Sequence, residues 1–240
     1  MFSPNANRMI AGIVPLSLVD VPNNPAITVF TRGCNLRCPY CHNPELVRRS
    51  MTAPSWDRDR FDDFLRKRRA VIQYIAVTGG EPTLHPGLPA FLDHVRSLGF
   101  RVKLDTNGSR PAVVQHLLEA GFINYIAMDV KTWWDHYDRV GAPEGVPFRE
   151  TAKIIQTLAP DYEFRTTVAP GIVGWEDLRA LAQDLMGSRR YVLQQFVSHN
   201  ALLDSAWAAV PPYPDAIVRA WAHDLEPYYD TVFVRNLGLS

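Results

Sequence analysis

The amino-acid sequence predicts an α/β fold on a parallel sheet, and three observations predict it. Short apolar, β-branched runs alternate with stretches whose apolar residues recur at helical spacing. Polar residues of unusual character stand at the end of one run after another. No linker, low-complexity tract or charge block divides the chain, so 1–240 reads as one domain. Strand–helix repetition of this kind makes right-handed crossovers and a parallel sheet. Periodicity alone leaves open whether that sheet is doubly wound or curled into a barrel.

The elements follow in order. "AITVFT" (26–31) is the first strand, and a helix suits 55–69 before "QYIAVT" (73–78). In "PAFLDHVRSLGF" the stripe is Phe91, Leu92, Val95 and Leu98, with Gly99 where a helix C-cap belongs. "RVKLDT" (101–106) is the third strand. "PAVVQHLLEAGF" repeats the helical stripe with Val114, Leu117 and Leu118 and ends at Gly121. "NYIAMDV" (124–130), a helix over 147–158, "EFRTTV" (163–168), a helix over 175–186 and "YVLQQF" (191–196) complete the alternation. The texture then changes. Proline and small residues make 198–213 an irregular loop, followed by a last helix at about 214–226 and a short strand at 231–235.

Composition narrows the function. Lys+Arg and Asp+Glu balance at 25 each, so no basic field argues for nucleic acid or an anionic membrane. Hydrophobic residues at 47% and charged residues at 21% are ordinary for a globular protein, and no apolar run approaches a membrane span. Three cysteines in one cluster cannot form a disulfide framework, which points to a reducing, cytoplasmic compartment.

In open α/β sheets and α/β barrels, ligands bind beyond the carboxyl ends of the strands. There this chain places a cysteine loop, "TGGEP", "DTNG", "DVK", "RTT" and "QQF", one after each successive strand run or within its end. The loop "GCNLRCPYCHNP" (33–44) holds Cys34, Cys38 and Cys41. Four protein ligands are usual for a structural zinc or an iron–sulfur cluster, so three leave a position open. A Cys3His zinc site through His42 is awkward, because the adjacent Cys41 and His42 would have to converge on one tetrahedral ion. Three buried structural cysteines would not explain the tight spacing or the surrounding Gly33, Asn35 and Pro39.

The C-x3-C-x2-C spacing after a first strand resembles the radical S-adenosylmethionine (radical SAM) superfamily, in which three cysteines bind a [4Fe–4S] cluster. The resemblance implies that Cys34, Cys38 and Cys41 hold such a cluster, and that the methionyl group of S-adenosylmethionine chelates its open iron. Tyr40 matches the aromatic that lies near the adenine. "TGGEP" (78–82) resembles the motif that holds the methionine ammonium: Gly79 and Gly80 permit close backbone approach, and Glu81 offers a carboxylate. "LDTNG" (104–108) and "MDVK" (128–131) read singly as a turn and a strand end with a snorkelling lysine. Together they match the glycyl-radical activating enzymes. By that match Lys131 reaches the methionyl carboxylate, and Asp105 and Asp129 gather near a monovalent cation, with Thr106 and Asn107 beside them. Arg165, inside an apolar strand, needs an anionic or polar partner: an acid of a neighbouring strand, or the cofactor, as the resemblance implies. Gln194 and Gln195 would lie near the adenosine. Trp133 and Trp134 read as core, and His85, His116 and His136 as loop or surface residues.

The match covering most of the chain, about 10–197, is to the activating proteins of anaerobic ribonucleoside-triphosphate reductase in their longer form. It runs from "GIVPLSLVDVP" (12–22) through the cysteine loop, "TGGEPTL", "LDTNG", "MDVK", "EFRTTVAPGI" and "YVLQQF" to "VFVRN" (232–236). "DVPNNPAIT" departs from the tyrosine-proline-glycine-lysine stretch usual there. The resemblance implies a partial (β/α)6 barrel open on one side. A full eight-stranded barrel takes about 250 residues. It also implies a flavodoxin or ferredoxin electron donor, a 5′-deoxyadenosyl radical, and a glycyl-radical protein as partner, namely anaerobic ribonucleotide reductase. Two rival readings are a small-molecule radical enzyme such as 7-carboxy-7-deazaguanine synthase, and a non-catalytic zinc-binding module.

Overall fold

The computed structural model describes residues 9–48, 58–198 and 201–238. Its strands form one sheet in chain order: β1 (Ile10–Val21), β2 (Asn24–Thr31), β3 (Tyr74–Gly79), β4 (Arg101–Thr106), β5 (Tyr125–Asp129), β6 (Tyr162–Val168), β7 (Ser188–Gln195) and β8 (Tyr229–Arg235). β1 is antiparallel to β2, and the later neighbours are all parallel. The sheet does not close, and β1 and β8 are its two edges. The helices are α1 (Pro44–Arg48), α2 (Arg58–Arg66), α3 (Leu88–Ser97), α4 (Pro111–Glu119), α5 (Phe148–Leu158), α6 (Trp175–Asp184) and α7 (Asp215–Leu225).

The expected strands are present as β2 to β7, and the expected open α/β barrel is the observed architecture. Two differences concern the edges. The lead segment forms β1, which the sequence conceals: Gly12 and Pro15 interrupt it, and its apolar Leu16, Leu18 and Val19 face solvent. The C-terminal strand also joins the sheet, pairing with β7 from Ser188↔Tyr229 to Gln194↔Arg235. The sheet is therefore eight-stranded. Of the helix expected over 55–69, Arg58–Arg66 is helical, and 55–57 lie outside the described residues.

Local chemistry sets the crossovers. α4 opens on Pro111, whose missing N–H costs nothing in the first turn. Gly99 and Gly121 end α3 and α4 at φ of +89° and +68°, a conformation glycine adopts without a Cβ penalty. Alternation then sorts the two faces of the sheet. Ile27, Ile75, Val77, Val102, Leu104, Ile126, Met128 and Phe164 pack outward in the helix-covered core with Phe91, Leu117 and Ile155. The alternate, inward positions carry Ala76, Lys103, Asp105, Ala127, Asp129, Glu163 and Arg165, in register across β3 to β6. A parallel sheet covered on both faces would be apolar on both. This one reserves its concave face for charge.

Candidate active site

The cysteine loop leaves β2 and folds across the strand tips. Backbone bonds tie it to α1 (Gly33 N to Leu46 O, 2.9 Å), to the segment after β5 (Arg37 N to Val140 O, 2.8 Å) and to the segment after β7 (Leu203 N to Cys41 O, 3.0 Å; Asp204 N to Pro39 O, 3.0 Å). Cys38 is buried, and Cys34 and Cys41 are half-buried. Cys34 Sγ accepts from Leu36 N at 3.4 Å and lies 3.8 Å from the Asn107 amide, which also donates to Asn35 at 3.0 Å. Burial pushes both Cys34 and Cys38 up, Cys38 to about 12. Without a cation these two are thiols, so metal binding here must release protons.

The glycines of "TGGEP" serve the protein's own backbone. A Cβ on Gly79 would sit 2.4 Å from Thr31 N, and one on Gly80 would sit 2.0 Å from the Gly33 carbonyl oxygen. That contact lets Gly80 N donate to Thr31 O (2.9 Å) and Glu81 N to Gly33 O (2.8 Å), docking the β3 tip onto the cysteine loop. Glu81 is fully buried. It accepts from Thr83 N (3.1 Å), Thr83 Oγ1 (2.5 Å), Thr106 Oγ1 (2.8 Å) and Asn107 N (2.7 Å). Burial raises its carboxyl above the usual range, and these donors partly offset the rise. The sequence offers this carboxylate to a ligand; the fold uses it to pin β3 to β4.

An alternating charge network crosses the inner face. Lys131 Nζ lies 3.0 Å from Asp129, Arg165 Nε donates to Asp129 at 2.7 Å, and Arg165 Nη1 is 3.5 Å from Asp105. Lys103, only 2% exposed, pairs with Asp105 at 2.7 Å. Burial alone would raise both aspartates, but Arg165 with Lys131 or Lys103 outweighs it and holds both below the usual carboxylate range. Burial would likewise lower Lys131, but Asp129 outweighs it and holds the ammonium charged. Arg165 thus has acids of neighbouring strands as partners and faces the cavity as well. Each aspartate that the resemblance assigns to a monovalent cation already faces two basic side chains of the protein. Lys103 and Glu163 were not singled out from the sequence, although both stand two positions before a singled-out residue on the same strand face.

The Tyr40 ring packs against Phe196 and Trp207, with its buried hydroxyl unpartnered among the described residues. Gln195 is spent on structure: its Nε2 donates to Tyr213 O (2.6 Å) and Asp215 (3.2 Å), and its Oε1 accepts from Phe196 N (3.0 Å). Trp133 and Trp134 pack against the core, and His116 is exposed on α4. His85, half-buried, bonds Arg32 O, and His136 bonds Asp177.

All the residues proposed from the sequence line one cavity of about 300 Å³, from Cys34, Cys38, Tyr40 and Cys41 through Gly79, Gly80, Glu81, Asp105, Thr106 and Asn107 to Asp129, Lys131, Arg165, Gln194 and Gln195. Thr78, Thr167 and Asn236 line it too. Among the described residues no three His, Cys, Asp or Glu side chains converge on one ion. A [4Fe–4S] cube takes three thiolates on three separate irons, so the donor set fits a cluster. The charged wall fits the ammonium, carboxylate and sulfonium of S-adenosylmethionine.

Comparison with known proteins decides the family. Residues 28–185 match the model of the Radical SAM superfamily. The chain belongs to that superfamily. This radical SAM enzyme is 32% identical, over 96% of its length and 97% of the relative's, to a Methanocaldococcus jannaschii protein provisionally named glycyl-radical enzyme activating enzyme. It is 35% identical to 7-carboxy-7-deazaguanine synthase of Aquifex aeolicus over only 35% of its length and 37% of that protein. The fold is shared with Streptococcus suis SuiB bound to precursor peptide SuiA (TM-score 0.65, 14% identity, 86% of this chain and 47% of that one). It is also shared with a domain of pyruvate-formate lyase-activating enzyme from Bacteroides vulgatus (TM-score 0.51, 16% identity, 65% and 96%). As a radical SAM enzyme, the protein works with a [4Fe–4S] cluster and S-adenosylmethionine. No helix among the described residues is long and apolar enough to cross a membrane.

Proposed function

We propose that this enzyme takes a hydrogen atom from the α-carbon of a glycine in a partner protein, and that the partner is an anaerobic ribonucleoside-triphosphate reductase. The observation carrying the reading is the end-to-end match, at nearly equal length, to the archaeal protein named as a glycyl-radical enzyme activating enzyme. The open sheet supports it: Ala76 and Ala127 fill little of the concave face, and β1 and β8 are not paired, so an extended segment of another protein has a way in.

Bound at the site, a [4Fe–4S] cluster and S-adenosylmethionine would supply one-electron reductive chemistry at the sulfonium C–S bond. The chain's residues bind, orient and exclude water. Cys34, Cys38 and Cys41 hold the cluster, and the amide of Asn107 stabilises the charge on Cys34. Lys131 and Arg165 present cations to the methionyl carboxylate, while Asp105 and Asp129 fix them in place. Glu81 orders the β3 and β4 tips against which the methionine ammonium rests. Positioning, rather than proton transfer, is the protein's contribution. The electron comes from a flavodoxin or ferredoxin.

The test is anaerobic incubation of reconstituted enzyme, reductant and S-adenosylmethionine with an anaerobic ribonucleotide reductase. The expected result is a glycyl doublet by electron paramagnetic resonance, with one 5′-deoxyadenosine formed per radical. If no candidate protein gains a radical while a small heterocycle stimulates 5′-deoxyadenosine formation many-fold, the enzyme acts on a small molecule instead.

A further inference from the structure

The C-terminal strand reaches the cofactor cavity through one side chain. Asn236, the residue after β8, lines the same cavity as the cysteines and has a φ of 66°. Glycine would hold that backbone without steric cost; asparagine is among the few other residues that tolerate it. Its position is fixed from both sides. Arg235 forks onto the buried Glu163 carboxylate at 3.2 and 3.0 Å, and Glu163 lies 3.8 Å from Arg165. Gly238 N donates to Asp215 Oδ2 at 2.9 Å, and Asp215 Oδ1 accepts from Gln195 at 3.2 Å. Both anchoring carboxylates are therefore tied to residues of the cavity wall. Gln194 is in register with Arg235, so Gln194 and Asn236 stand together at the tips of β7 and β8. Neither carboxamide has a partner among the described residues, whereas that of Gln195 is fully used.

A carboxamide offers a donor and an acceptor in one plane, the complement of adenine's N6–H and N7. We propose that Asn236 reads the adenine of bound S-adenosylmethionine, held in place by the Arg235–Glu163 and Asp215 anchors. This rests on the cofactor alone, so failure of glycyl-radical formation would leave it standing.

The test is calorimetric titration of anaerobically reconstituted enzyme with S-adenosylmethionine and with its 6-oxo analogue, S-inosylmethionine. Asn236→Gly keeps the backbone conformation and removes only the side chain. It should weaken S-adenosylmethionine about tenfold, the worth of one good hydrogen bond, and weaken the inosyl analogue less, because its O6 and N7 both accept and the carboxamide makes only one of the two bonds there. Thermal melts of the variant check that the fold is retained. Equal weakening of both ligands would overturn the proposal, because shape rather than base identity would be at stake. Unchanged binding of both would overturn it as well, and with reduced radical transfer it would place Asn236 against the substrate.

Discussion

At the scale of single residues, the site is held together by contacts that a sequence motif does not specify. A methyl group on Gly80 would meet a carbonyl oxygen of the cysteine loop, and backbone cannot swing aside as a flexible side chain can. Gly80→Ala should therefore displace the loop and abolish cluster loading, measured as iron per chain after anaerobic reconstitution. A normal iron content would show that the loop has room to move. Glu81→Gln keeps the shape of the side chain but turns an NH2 group toward groups that donate. A loss of about 1–3 kcal/mol in urea unfolding is expected, with weakened S-adenosylmethionine binding. Wild-type values for both would mean that the four donors find other acceptors.

Among the elements, the two edge strands divide the labour. β8 is tied into the site through Arg235 and Glu163. β1 shields the other edge while exposing Leu16, Leu18 and Val19, at 54%, 72% and 84%. An exposed apolar edge strand invites pairing with other chains. Val19→Lys should leave stability within about 0.5 kcal/mol of wild type and raise the concentration at which the protein stays monomeric in light scattering. A large loss of stability would mean that Val19 packs against something in solution.

For the molecule as a whole, the inner-face charge network sets the response to acid. Asp105 and Asp129 have folded-state pKa values below their unfolded ones, so their stabilisation is complete above about pH 4 and disappears as pH falls through the folded values. Glu81 works in the opposite sense, because its raised value means that protonation favours the fold. Urea midpoints should drop as pH falls below about 4. In Asp129→Asn the drop should be smaller, from a lower starting stability, because one of the titrating groups has gone. An equal drop in the variant would assign acid sensitivity to other groups.

The sequence by itself determined the strand–helix alternation, the cysteine loop and the strand-end polar clusters, because each is written in local spacing. Val102, Leu104, Ile126 and Met128 announced buried strands, and Cys34, Cys38 and Cys41 announced a soft-metal site. Only the tertiary structure decided what those residues face. Gly79 and Gly80 turned out to admit backbone from β2 and the cysteine loop, and Glu81 to bind its own neighbours. Lys103, Glu163 and Arg235 became partners across strands distant in sequence. Asn236 reached the cavity only because β8 lies beside β7. Periodicity says which face of a strand a side chain occupies, but which strands lie side by side is settled by long-range pairing, and charge partners follow from that pairing.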